Sequence, residues 1–264
     1  MKWLLLAFAV WALLAWYANR SVFLPMPYPA GDWSAQSRLH AQDVGMTTPD
    51  RVHLHAWWVQ PAKPDFVTLY LHGNAGNVTH REAAMRTLLA VNSAVLLLDY
   101  RGYGKSSGSP TERGVYVDAE TAYVTLRNQH WQPGNIVLFG ESLGTAVAVE
   151  LASRLPCAGL VLEAPFPSAR AVAQTVIPIL GPLCVWGFDT RSRLAAVHAP
   201  ILVVHGRNDE VIPFRLGQAV FAAAREPKRF YEIPSAGHND IPESGGPDYV
   251  QVLREFYSTL NSGR

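Results

Sequence analysis

The sequence predicts an α/β fold, with a mostly parallel sheet covered by helices on both faces behind an apolar amino-terminal helix. Short unbroken apolar runs predict the sheet: FVTLYL (66–71), AVLLLD (94–99), NIVLFG (135–140), AGLVLEA (158–164) and PILVVHG (200–206). Runs this short and this continuous are strands buried on both faces. Helical stretches near 78–91, 111–130, 142–154, 213–224 and 247–260 alternate with them, which is the pattern of a parallel sheet with crossover helices. The 264 residues suit one such domain.

The amino terminus comes first. Residues 3–18, WLLLAFAVWALLAWYA, form an apolar run between Lys2 and Arg20. Sixteen helical residues span roughly 24 Å, against a hydrocarbon core of ~30 Å. A cleaved signal peptide wants small residues before the cut, and Trp16 stands there instead. The run therefore reads as an uncleaved transmembrane anchor at the membrane, with Trp3, Trp16 and Tyr17 at interfacial positions. Lys2 and Arg20 nearly balance, so the side of the membrane stays open. Residues 1–20 are the anchor, 21–50 a linker with a first edge strand, and 51–264 the folded domain.

Within that domain RVHLHAWWV (51–59) alternates and predicts a half-exposed strand, pairing antiparallel at the sheet edge. RFYEIP (229–234) is a more polar strand. Between Ala164 and Ile201 the rhythm breaks. From Pro165 to Phe188 the only charge is Arg170, and Pro178 and Pro182 interrupt any long helix. This predicts a cap of short helices at about 165–193.

Composition narrows the function. The chain is 49% apolar and 16% charged, with a formal net charge of +1. Nothing in that balance suggests the basic face that nucleic-acid binding needs, and no nucleic-acid partner is expected. Cys157 and Cys184 form neither a CxxC nor a zinc pattern and read as small hydrophobes, with a disulfide between them left open. His53 and His55 share a strand face but lack a third ligand, so they read as exposed strand residues and not a metal site. No metal and no cofactor are expected.

The chemistry-bearing motif is Gly140-Glu141-Ser142-Leu143-Gly144. A β-rich run enters it and a small-residue helix leaves it, which is the strand–turn–helix context of a nucleophile elbow. Glycines at 140 and 144 relieve the crowding around a strained Ser142. A serine hydroxyl needs a positioned base. His238, in AGHN (236–239), stands in the loop after the last strand. The acid must fall between them in the chain, and Asp209 does, with Glu210 as its rival. His72-Gly73-Asn74-Ala75-Gly76-Asn77 follows a strand, so the backbone amides of Asn74 and Leu143 are the expected oxyanion hole. His72 reads as a brace for that loop. Asp99-Tyr100-Arg101-Gly102-Tyr103-Gly104 lacks the lysine of a phosphate loop and reads as a loop bracing the site.

Taken together, HGNAGN (72–77), DYRGYGKSSGSPTE (99–112), GESLG (140–144), HGRNDEVIP (205–213) and AGHND (236–240) resemble the ABHD-type membrane-anchored α/β-hydrolases. The resemblance runs from about residue 50 to the carboxyl terminus. It implies the α/β-hydrolase fold with an eight-stranded sheet, a triad of Ser142, Asp209 and His238, and an oxyanion hole at Asn74 and Leu143. It also implies esterase, monoacylglycerol or lysophospholipid lipase, or depalmitoylase activity. A membrane-tethered serine peptidase and a non-catalytic binding protein on the same fold are the alternatives.

The expected substrates are acyl lipids or acylated proteins presented at a bilayer, held through residues 3–18 and the cap. The expected acyl pocket is the apolar cap: Phe166, Val172, Val176, Ile177, Leu180, Leu183 and Trp186, with Ile179, Val185 and Phe188 nearby. Plain packing of this stretch on the core is the competing expectation.

Overall fold

The computed structural model describes residues 2–261. Eight strands form one sheet: β1 (Gln42–Thr47), β2 (His53–Val59), β3 (Phe66–Leu71), β4 (Ser93–Asp99), β5 (Ile136–Glu141), β6 (Gly159–Glu163), β7 (Ile201–Gly206) and β8 (Lys228–Ile233). Their spatial order is β8-β7-β6-β5-β3-β4-β2-β1. All neighbours pair parallel except β2, which runs antiparallel to both β1 and β4. Every residue of β3, β4 and β7 is buried, as continuous apolar runs require.

For 51–59 the sheet edge differs from expectation: that strand pairs antiparallel, but the edge lies within the 21–50 segment, where a first edge strand was also placed. The edge strand is β1, so β2 is an interior strand and five of its seven residues are buried. His53 is exposed, but His55 is buried and bridges two carboxylates: Nδ1 lies 3.0 Å from Asp99 Oδ2 and Nε2 lies 2.8 Å from Asp43 Oδ1. Alternation in 51–59 was misleading because a polar histidine with two acceptors can be buried at low cost.

Helices cover both faces: α1 (Lys2–Arg20), α2 (Ala35–Leu39), α3 (Glu82–Ala90), α4 (Glu112–Asn128), α5 (Leu143–Ala152), α6 (Ala169–Val176), α7 (Gly181–Cys184), α8 (Thr190–Arg193), α9 (Phe214–Ala223) and α10 (Ile241–Asn261). The last is kinked at Gly246, just before Pro247. Two apolar clusters result, one per sheet face. Leu69, Leu96, Leu138 and Val147 belong to the first, and Trp57, Tyr70, Phe139 and Leu253 to the second. The expected cap is present as α6, α7 and α8, and both prolines fall at breaks between or at the start of its helices. Cys157 and Cys184 are free thiols.

The amino-terminal run is helical over 19 residues, as expected. Among the described residues, however, no helix is long and apolar enough to cross a membrane. The expected transmembrane helix is corrected on that point: the charged and polar ends, Lys2, Asn19 and Arg20, shorten the apolar stretch. Moreover, α1 packs against α7 of the cap instead of standing apart from the domain.

Candidate active site

The carboxyl ends of β5, β7 and β8 converge on one crevice, where open α/β sheets place their sites. Ser142 follows β5 directly, with φ 50° and ψ −114°. That positive φ is strained for a residue with a side chain, and it aims the hydroxyl out of the chain's path. The flanking glycines are required by contact. A Cβ at Gly140 would meet Gly144 O at 2.5 Å, and one at Gly144 would collide with Leu71 O. The Ser142 amide donates to Glu163 O at 2.9 Å, tying the turn to β6.

The three side chains singled out from the sequence meet here. His238 Nε2 lies 3.0 Å from Ser142 Oγ, and His238 Nδ1 lies 2.8 Å from Asp209 Oδ2. An ionised carboxylate only accepts, so Nδ1 carries the proton and Nε2 turns its lone pair to the hydroxyl. Asp209 Oδ1 accepts from the amides of Val211 (2.9 Å) and Ile212 (2.7 Å). Burial alone would push the Asp209 carboxyl up. Hydrogen bonds from His205 and His238 outweigh it and hold the group well below the usual carboxylate range. Glu210, the rival acid, is exposed and accepts from the His238 amide at 3.3 Å.

Two chambers flank the Ser142–His238 pair. The first, about 220 Å³, is apolar. Ser142, Leu143 and Asn74 share it with Phe166, Val172 and Ile212. Both residues of the expected oxyanion hole therefore line the same cavity as Ser142. Of the expected acyl-pocket residues, Phe166 and Val172 line it. Val176, Ile177, Leu180, Leu183 and Trp186 do not; they lie on the outer side of the cap, more than half exposed. Pro178 and Pro182 fold the stretch into two short helices, and the cavity is reached by the face of α6 nearest the domain, by Phe166 before it and by Val185 just after α7. Phe188 packs on the core, edge-on to Phe23 and Tyr116.

The second chamber, about 390 Å³, is distinguished, and called polar below, by the charged groups set into an otherwise largely apolar lining: His238, Tyr70, Arg81, Glu141, Glu163 and Glu243 all reach it. Arg81 Nε stands 2.7 Å from Glu141 Oε2, which also accepts from Tyr70 OH at 2.7 Å. Burial would raise the Glu141 carboxyl, but Arg81 and Tyr70 outweigh it and leave it below its ordinary value. Glu163 goes the other way: burial pushes it up to about 8, although Tyr249 OH donates to it. Sequence reasoning missed this network. Its one signal was the paired register of Glu141 and Glu163 on adjacent buried strands, which needs the strand order to be seen.

His72 braces the 72–77 loop, its Nδ1 lying 2.7 Å from Gly73 O. Burial, with Arg81 nearby, pushes its imidazole down to about 4, so it stays neutral. The 99–104 loop also braces: Tyr103 OH donates to Asn74 O at 2.7 Å, and Asp99 Oδ1 accepts from the Val78 amide at 2.9 Å. Among the described residues there is no group of three or more His, Cys, Asp or Glu side chains that could hold a metal ion.

A mostly parallel sheet with a strained serine on a strand–turn–helix elbow defines a hydrolase of the α/β class. Comparison with known proteins agrees. A family model described as serine aminopeptidase, S33, matches residues 62–187. An uncharacterized Mycobacterium tuberculosis protein is 38% identical over 244 residues, covering 90% of this chain and 86% of its own. Human α/β hydrolase domain-containing protein 17B is 32% identical over 232 residues, covering 86% and 79%. The chain belongs to the α/β-hydrolase family. An esterase from Pyrococcus furiosus has the same fold, with a TM-score of 0.75 at 20% identity over 90% of this chain and 98% of its own.

Proposed function

We propose that this hydrolase is a serine esterase or thioesterase acting on acyl substrates. The observation that carries the reading is the Ser142–His238–Asp209 relay, with contacts of 3.0 and 2.8 Å, opening onto an apolar chamber. His238 takes the Ser142 proton as Oγ attacks the ester or thioester carbonyl. The amides of Asn74 and Leu143 hold the oxyanion. His238 then gives the proton to the departing alcohol or thiol. Water, deprotonated by His238, attacks the acyl-enzyme; the carbon–Oγ bond breaks and Ser142 regains its proton. Asp209 holds the imidazole and stabilises its cation. The acyl group occupies the apolar chamber, and the leaving group faces the polar one.

The test is labelling by a fluorophosphonate together with a panel of chromogenic esters. Labelling absent in Ser142→Ala, and turnover of octanoate or longer esters at least equal to acetate, is the expected outcome. No labelling of the unaltered protein would sink the reading.

Contact with a bilayer belongs to the same proposal. The outer surfaces of α1 and the adjoining cap carry exposed Trp3, Phe8, Trp16, Ile179, Leu180 and Trp186. An apolar surface of this kind is disfavoured in water and suits a lipid interface. Flotation with phosphatidylcholine vesicles tests it; a protein that stays in the bottom fraction argues against membrane contact.

A second reading, hydrolysis of an amide at a free amino terminus, is favoured by the description of the matching family and by the carboxylates Glu141 and Glu243 beside His238. Aminoacyl anilides cleaved faster than octanoyl esters would favour it.

A further inference from the structure

We infer that the amino-terminal segment is itself a wall of the acyl chamber and a determinant of acyl selectivity, beyond any role in attachment. The inference rests on the esterase reading above. Ala18, Ser21 and Val22 line the same cavity as Ser142 and Leu143. They follow from the helical period of α1. Among its described side chains the buried and half-buried ones are Ala12, Ala15, Ala18 and Asn19, with 15 three residues after 12 and 18 and 19 three and four after 15, on one face. Alanines let α1 lie close to the cap, and the same face then ends at the nucleophile's cavity.

The helix is latched in place. Asn19 Nδ2 donates to Cys184 O at 2.7 Å, and Asn19 Oδ1 accepts from the Trp186 amide at 3.2 Å. Trp11 Nε1 donates to Leu183 O at 3.1 Å. All three bonds take up backbone groups of the cap near the end of α7, where helix carbonyls and following amides otherwise lack partners. So α1 supplies a capping function to the cap as well as a wall to the cavity.

The chain leaving α1 grips the oxyanion loop. Asn74 Nδ2 donates to Val22 O at 2.9 Å, and Asn74 O accepts from the Leu24 amide at 2.9 Å. The Met26 amide donates to Gly76 O at 3.1 Å, and Leu24–Pro25 pairs in parallel with Ala75–Gly76. Phe23, buried between these contacts, packs edge-on to Phe188. Residues 18–26 therefore touch the acyl chamber on one side and position the oxyanion loop on the other. A simple tether would need neither set of contacts.

The experiment uses the full chain and the labelling rate of Ser142 by ethyl and dodecyl fluorophosphonates. Ala18→Leu and, independently, the exposed Ser21→Leu add bulk to the wall. Each is expected to slow the dodecyl probe by about tenfold while leaving the ethyl rate within about twofold, since a few methylenes in an apolar pocket discriminate by that order. Leu13→Ala, on the exposed side of α1, is expected to change neither rate. If Ser21→Leu folds and labels with an unchanged dodecyl-to-ethyl ratio, the inference is wrong, whatever happens to Ala18→Leu. If the unaltered chain labels with neither probe, the esterase reading itself has failed, and this inference falls with it.

Discussion

The two chambers beside Ser142 and His238 are built from the same sheet yet differ in what they tolerate. The apolar one is walled by elements outside the strand–helix alternation: the cap, the end of α1 and the loop after β7. The polar one is floored by the strands themselves, with Tyr70 on β3, Glu141 on β5 and Glu163 at the end of β6. A wall of short helices can change shape without disturbing the core. A floor of polar groups that pair with one another cannot, because each group depends on its partner for solvation. Substrate selectivity is therefore expected to be adjustable on the apolar side, and stability to be at stake on the polar side.

The largest effects test whether the boundary between the chambers is the catalytic centre. Ser142→Ala is expected to lower kcat on the order of 10⁶-fold, and Asp209→Asn about 10⁴-fold by misorienting the imidazole, with melting temperatures little changed. Steady-state kinetics on a chromogenic ester measure both. Equal activity in either variant would move the chemistry elsewhere.

The next effect is on the polar floor. Arg81→Met leaves the half-buried Glu141 carboxylate without its cation and is expected to destabilise the protein by roughly 3–5 kcal/mol in denaturant unfolding. Adding Glu141→Gln should recover most of the loss. A single variant as stable as the parent would show that the floor is as tolerant as the cap.

Glu163 sharpens the same side through pH. Its ordinary value is 4.5 and its folded value about 8. Between these values the folded protein holds a proton that the unfolded chain has released. Its contribution to stability is thus full below about 4.5 and is lost as pH rises through about 8. Relative to the parent, Glu163→Gln should flatten the fall in stability between pH 5 and pH 8, by on the order of a few kcal/mol. Thermal melts across that range decide it; parallel curves for the two proteins would contradict a buried, protonated Glu163.

The smallest effect belongs to the apolar wall. Val172→Trp is expected to lower kcat/KM for dodecanoate esters about tenfold and to leave acetate esters nearly unchanged, with less than about 1 kcal/mol lost in stability. A uniform loss over all chain lengths would mean that α6 does not shape the acyl site.

Most of the sheet was legible along the chain. Buried parallel strands announce themselves as short apolar runs, and the glycines of 140–144 mark a turn where backbone crowding forbids a side chain. Ser142, Asp209 and His238 could be picked out because each ends a strand or sits in the loop that follows, in the chain order such a relay requires. The edge was less legible. Gln42–Thr47 has little apolar content, and its pairing with His53–Val59 depends on a partner and not on pattern. The outward-facing cap residues were misassigned for a related reason: hydrophobicity says that a side chain avoids water, but not which surface it meets.

The sequence by itself determined the strand–helix alternation, the elbow and which side chains were candidates to meet beside it, because these follow from local sterics and from burial summed over a few residues. Only the tertiary structure decided that α1 turns back onto the cap and reaches the chamber of Ser142, and that Arg81, Glu141 and Glu163 share a floor. Those are contacts between segments tens to more than a hundred residues apart, and their energies depend on distance and desolvation in space, which position along the chain does not encode.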